Sequence, residues 1–378
     1  MPVGLHYIMG FAVALLLALT LTPLVKQLAF RIGAIDKPNH RKVHTRIMPR
    51  LGGLAIYAAF AAAFLLLTPF FPEGLLSRYD LNLLRALLAG GTVIVLLGAL
   101  DDKYELSAKV KLLGQIGAAS VVVFGFDVKI NLLNIPFGDT MQPVAEWIAI
   151  PMTIFWIVGV TNAINLIDGL DGLAAGVSAI AVGTILVMAV IMGNEAVVLA
   201  CALLLGGIIG FLVFNFHPAK IFMGDTGSLF LGFSLATLSM LGFKQVTVVS
   251  LVTPLLIIGV PLSDTLFAII RRARQKKPIF APDKGHLHHC LRELGFSHRR
   301  TVLIIYGIAA FFGICAIIQS SVVKSDAANW VTFVVIAVLM FVLQIGAELI
   351  GIVDKTRRPL LNLLSRLRAK PAPQSRSK

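Results

Sequence analysis

Charge is scarce in this chain. Asp, Glu, Lys and Arg make up 14% of its 378 residues against 57% hydrophobic ones, and the mean hydropathy is +0.88. That balance excludes an ordinary soluble core and leaves no room for a separate soluble domain. Cysteine is nearly absent: Cys201, Cys290 and Cys315 form no spaced pattern, so neither a disulfide nor a cysteine metal site is expected. No Lys or Arg precedes the first apolar run, so Met1 to Leu28 lacks the basic leader of a cleaved signal peptide and is expected to stay as a helix. No internal repeat is visible, which counts against common transporter architectures.

What is present is a succession of apolar runs of spanning length. They cover roughly Leu5 to Leu28, Leu51 to Phe71, Leu83 to Leu100, Val144 to Val160, Leu173 to Met192, Ala196 to Phe214, Val248 to Ile270, Val302 to Ile318 and Val331 to Ile350. Leu112 to Phe126 and Leu229 to Phe243 are marginal by length, and charge settles them. If both span, 27 of the 33 Lys and Arg fall on one side, in alternate loops and in the tail from Gly351. The positive-inside rule makes that side cytoplasmic. The expectation is an all-α polytopic membrane protein with about eleven transmembrane helices, the N-terminus outside and the C-terminus cytoplasmic. Residues 1–350 form the membrane domain and 351–378 a basic cytoplasmic tail. The net charge of +14 then describes one face, suited to anionic lipids and phosphorylated substrates, and requires no nucleic acid.

The chemistry-bearing residues crowd the same face. Asp101-Asp102 closes the third run; it reads as a helix stop, or as paired carboxylates able to bind a divalent ion or act as a base. The segment Asn162-Ala-Ile-Asn165-Leu-Ile-Asp168-Gly-Leu-Asp171-Gly contains no Lys or Arg. Asn162, Asn165 and Asp168 are three apart, so a continuing helix would line them on one face; the plainer alternative is a turn made by the two Asp-Gly pairs. An uncompensated acidic cluster at a membrane interface is expensive unless it binds a cation.

Asn215-Phe-His-Pro-Ala-Lys-Ile-Phe222-Met-Gly-Asp225-Thr-Gly-Ser228 offers a hard oxygen at Asp225 and a ring for stacking at Phe222, although a helix N-cap explains the same string locally. Asp264, inside the ninth run, is a buried acid of functional interest or the partner of a basic neighbour. His286, His288 and His289 lie in the longest basic loop. Their spacing fits no tetrahedral zinc pattern and points to phosphate binding. The first loop, with Arg41, Lys42, His44 and Arg50, has the same chemistry, or serves only as a positive-inside anchor.

Taken in order, these five motifs resemble the polyprenyl-phosphate N-acetylhexosamine-1-phosphate transferase superfamily, and most closely its bacterial N-acetylglucosamine branch. The resemblance covers about Leu5 to Ile350 and implies eleven helices with cytoplasmic catalytic loops in a bacterial cell membrane. It implies a magnesium site, with manganese as a substitute, on Asp225 with Asn165 and Asp168. Catalytic roles fall on Asp101, Asp102, Asp168 and His288, and nucleotide contacts on Asn215 and Phe222. The remaining substrate contacts fall on Asn162, Asp171, His286, His289, Arg41, Lys42, His44, Arg50 and Lys111.

The implied reaction is attack by undecaprenyl phosphate on the β-phosphorus of UDP-N-acetylglucosamine, releasing UMP, as the first membrane step of teichoic acid or related envelope polysaccharide synthesis. Direct attack is expected rather than a covalent aspartyl intermediate, and a homodimer is compatible with the sequence. Two alternatives remain at this point: another UDP-N-acetylhexosamine as donor, or a lipid-linked sugar transporter, which would spread polar residues through mid-membrane instead of gathering them at one end.

Overall fold

The computed structural model describes residues 3–38, 46–70, 78–130, 132–133, 142–241, 252–276 and 285–322, with single positions at 334, 337 and 346. The described helices are α1 (Val3–Ile32), α2 (Gly52–Leu67), α3 (Arg78–Tyr104), α4 (Ala108–Ser120), α5 (Glu146–Ile167), α6 (Leu173–Met192), α7 (Glu195–Asn215), α8 (Gly224–Leu241), α9 (Val252–Ile257), α10 (Gly259–Arg274), α11 (Leu287–Glu293) and α12 (His298–Val322). Eight of them, α1 to α7 and α12, are long and apolar enough to cross a membrane. The marginal stretch after residue 112 is among them, because α4 runs on through a π-helical turn at Val121–Gly125. The chain is an all-α polytopic membrane protein.

The other marginal stretch is the centre of the bundle. Every residue of α8 from Thr226 to Ser239 is buried, and the helix packs against α2, α3, α5 and α6. A helix apolar on all sides has no preferred face, so pattern alone cannot place it. Lipid tails are as apolar as the side chains, so the gain from helix contact comes from close packing. Small residues permit it: a Cβ on Gly53 of α2 would stand 2.0 Å from the backbone of Gly227 in α8.

One expected span is corrected. Val248 to Ile270 is not a single helix: α9 ends at Ile257 and α10 begins at Gly259. Pro261 has no N–H to donate to the carbonyl of Ile257, so the helical ladder is interrupted there. The tail 351–378 and nearly all of 331–350 lie outside the described residues.

Two short strand pairs complete the fold, Ile35–Asp36 with Met48–Pro49 and Leu132–Leu133 with Gln142–Pro143. The first continues into the bundle. Phe222 N donates to Pro49 O at 2.9 Å, Gly52 N to Phe222 O at 3.0 Å and Gly53 N to Met223 O at 2.8 Å. The first loop is thereby stitched to the segment leading into α8. Chain direction alternates from α1 to α8, so the C-termini of α1, α3, α5 and α7 share a face with the N-termini of α2, α4, α6 and α8. A cavity of about 900 Å³ opens on that face.

Candidate active site

Asp225 is the second residue of α8 and lines the cavity. Its Oδ2 lies 3.1 Å from Lys111 Nζ on α4, and its Oδ1 accepts from Asn165 Nδ2 on α5 at 3.1 Å. Lys111 also reaches Asp101 Oδ2 at 3.0 Å, so one ammonium bridges two carboxylates from different helices. Asp101 is held further by the N–H of Leu106 at 2.7 Å.

Asp102 faces the other way. Its oxygens accept from Asp225 N at 2.8 Å, Thr226 N at 3.0 Å and Thr226 Oγ1 at 2.6 Å. An α-helix leaves its first N–H groups without intrahelical partners, and here a carboxylate from α3 satisfies two of them at the positive end of the helix dipole. Arg50 Nε lies 3.7 Å from Asp102 Oδ1, and its guanidinium also reaches Asp36 at 4.0 Å. Burial works against the charge of Arg50, but Asp102, Asp225 and Asp36 outweigh it and raise its pKa.

The α5 to α6 connection supplies the rest. The helix continues through Asn162 and Asn165, as their spacing predicts, and Asp168 follows as its C-terminal cap. Asp168 lines the cavity, and its carboxyl is pushed up to about 8, first by burial and then by the nearby charges of Asp225 and Asp102. Asn162 is not itself among the residues lining the cavity; its amide donates to Gln115 Oε1 at 2.6 Å and accepts from Gln115 Nε2 at 3.3 Å, tying α5 to α4. Asn215 lines the cavity, and its amide is oriented by Gly172 N, which donates to Oδ1 at 3.1 Å, and by Ile221 O, which accepts from Nδ2 at 3.0 Å.

The histidine loop divides. His286 is buried, with Nδ1 2.8 Å from Asp264 Oδ2, and Leu287 N donates to Asp264 Oδ1 at 2.8 Å. Asp264 therefore pairs with the histidine loop. His288 stacks parallel to His286 with centroids 5.9 Å apart and abuts Gly169, where a Cβ would come 2.5 Å from its Nε2. Burial, then the charge of His289, lowers the His288 pKa to about 3, so this ring is neutral and supports the 168–171 loop. Only His289 of the three lines the cavity. Phe222 and Arg50 also line it, whereas Arg41, Lys42 and His44 lie outside the described residues.

Sequence reasoning passed over His217 and His298. Both line the cavity with Asp171, and an oxygen of Asp171 and a nitrogen of each ring lie within 4.8 Å of one another. The two rings are stacked, 4.1 Å apart with planes at 20°. In-plane lone pairs of stacked imidazoles do not converge on one ion, so this trio is poorly disposed to hold a metal. The signal was available in the string Asn215-Phe-His-Pro, but nothing local marked that histidine as facing a cavity.

Asp101, Asp102, Asp168 and Asp225 gather four carboxyl groups around Arg50 and Lys111, an oxygen-rich arrangement of the kind that could hold a hard divalent cation. Asp225 and Asp168, which line the cavity, are the accessible donors, while Asn165 presents its N–H₂ to Asp225 and orients it.

Comparison with known proteins agrees with this arrangement. The glycosyl transferase family 4 model matches residues 84–243, the stretch carrying Asp101, Asp102, Asp168 and Asp225. A Bacillus subtilis protein named "Probable undecaprenyl-phosphate N-acetylglucosaminyl 1-phosphate transferase" is 47% identical over 364 residues, covering 96% of this chain and 97% of its own length. A decaprenyl-phosphate N-acetylglucosaminephosphotransferase of Mycolicibacterium smegmatis is 39% identical across 76% of each chain. An undecaprenyl-phosphate alpha-N-acetylglucosaminyl 1-phosphate transferase of Yersinia pestis is 30% identical across 84% of each. With one relative matched along nearly its whole length at that identity, the chain belongs to the polyprenyl-phosphate hexosamine-1-phosphate transferases of glycosyl transferase family 4 and is a phosphoglycosyl transferase.

Proposed function

We propose that this protein transfers N-acetylglucosamine-1-phosphate from UDP-N-acetylglucosamine to undecaprenyl phosphate, releasing UMP and leaving undecaprenyl-diphosphate-N-acetylglucosamine. The observation that carries the reading is the Asp101–Lys111–Asp225 bridge at the edge of a cavity sized for a nucleotide sugar. The names of the relatives support both the acceptor class and the sugar. The envelope polymer this step initiates is proposed to be teichoic acid or a related polysaccharide.

The acceptor phosphate oxygen forms a bond to the β-phosphorus of the donor while the bond from that phosphorus to the bridging oxygen of UMP breaks. Three phosphoryl groups meet at one centre, so fixed positive charge is needed there before the reaction starts. Arg50 supplies part of it from the cavity wall, and Lys111 supplies part from behind Asp225. Asp102, saturated by the start of α8 and by Arg50, positions Asp225. Asp101 has fewer partners and is the better base for keeping the acceptor phosphate ionised. Magnesium, with manganese as a substitute, would be held by Asp225 and Asp168 and would supply charge neutralisation at the transferring phosphoryl group.

The eleven-helix topology, with the N-terminus outside and this face cytoplasmic in a bacterial inner membrane, is part of the same proposal and is supported by the bias of 27 of 33 basic residues. That basic face also suits anionic lipids. The test is purified protein with magnesium, undecaprenyl phosphate and a panel of UDP-sugars, scored for UMP. Release with UDP-N-acetylglucosamine above other UDP-N-acetylhexosamines is the expected result; none with any sugar would reject the reading.

A further inference from the structure

Asn215, which the resemblance assigns to the nucleobase, lines the cavity with its amide oriented by Gly172 and Ile221. Two residues further on, the His217 side chain is 36% exposed and lines the same cavity as Phe222. Its Nδ1 lies 2.8 Å from Asp171 Oδ2, an oxygen that also accepts from Ala219 N at 3.1 Å. An ionised carboxylate only accepts, so Nδ1 carries a proton, and the tautomer with that single proton presents Nε2, at the opposite edge of the ring, as an acceptor. The stacked ring of His298 fixes the imidazole plane, and Arg299 donates to the His217 carbonyl at 3.2 Å. The result is an oriented imidazole edge in a cavity that also contains an aromatic ring.

We propose that His217 reads the base of the donor: its Nε2 accepts the imide N3–H of uracil. Cytosine, whose N3 is itself an acceptor, is refused at this position. Asp171 is the positioning residue that fixes the tautomer. The inference rests on the reading of a uridine-linked donor, and it adds a specificity-determining residue to that site.

The experiment measures equilibrium binding of UMP, N3-methyl-UMP and CMP to the purified full-length protein with magnesium, for wild type, His217→Phe and His217→Gln. Phe keeps a ring to stack on His298 but has no acceptor, while Gln restores a carbonyl. Wild type is expected to favour UMP over both analogues by about tenfold, the effect of one matched hydrogen bond against an unpaired one. The preference should collapse in His217→Phe and return in part in His217→Gln. An unchanged preference in His217→Phe, with UMP still bound, would overturn the role of His217 and leave the donor reading standing. Failure of wild type to bind UMP, together with no UMP release from any UDP-sugar, would overturn both.

Discussion

Asp102 on α3 takes both the backbone N–H and the hydroxyl of Thr226 on α8, at 3.0 and 2.6 Å. A side chain that looks catalytic in sequence is thereby also the cap of the most buried of the described helices. Asp102→Asn and Thr226→Val are each expected to lower the stability of the detergent-purified protein by about 1–3 kcal/mol, the range for a buried hydrogen bond left half made. Because they remove the same contact, the double variant should cost clearly less than the two together. Additive losses in denaturant unfolding would show that the contact is not shared.

Asp225 makes the opposite prediction. Its carboxylate lines the cavity and caps nothing, so Asp225→Asn should fold normally and lose orders of magnitude in rate, because it removes a charge from the proposed metal site. A chelator should abolish turnover of wild type, and magnesium or manganese should restore it. Full turnover in chelator would reject the metal.

Asp168 sets a pH dependence. Its folded pKa of about 8 stands above the ordinary 3.8, so the folded state binds a proton that the unfolded chain releases. That contribution to stability is fully present below pH 4 and is lost as pH rises through about 8. The chelated protein should therefore lose thermal stability across this window, and Asp168→Asn should flatten the loss. A divalent cation, which competes with the proton, should bind more tightly as pH rises through the same range. An identical stability profile in Asp168→Asn would refute the assignment.

Asn162 and Gln115 exchange two amide hydrogen bonds between α5 and α4. Asn162→Ala leaves the Gln115 amide without this partner and is expected to cost about 1–3 kcal/mol in stability, with the donor KM unchanged. A raised donor KM at unchanged stability would return Asn162 to the substrate site.

Orientation can be tested on the described face. In a cysteine-free background, Lys103→Cys beside the acidic pair should react with an impermeant maleimide only after the cytoplasmic side is opened. Trp147→Cys, at the other end of α5, should react from outside. The reverse pattern would invert the topology.

Much of this was legible because lipid imposes a coarse code. Runs of 18 or more apolar residues announce helices, and the charge bias aligned the loops that do meet at the cavity. The acids at 101, 102, 168 and 225 were found because charge at a membrane interface needs a reason. Long-range pairing was hidden. Nothing near Asn162 points to Gln115, 47 positions earlier, and nothing near Asp264 points to His286. The break at Ile258 escaped because a hydropathy window counts proline as one residue among many, whereas the helical ladder loses a donor at Pro261.

The stitch between Pro49–Gly53 and Phe222–Met223 also constrains the order of events during synthesis. Membrane helices enter the bilayer as they are made, so α1 and α2 are in place while the partners of the Gly52 and Gly53 amides are still untranslated. The ribosome must pass residue 223 before those amides can bond to the chain as they do in the finished protein. Asp102 likewise waits for the start of α8. The candidate active site is thus a late product of assembly: a chain halted before α8 has α1 to α7 but not the site, and the Gly52 and Gly53 amides wait for their partners until residues 222 and 223 arrive.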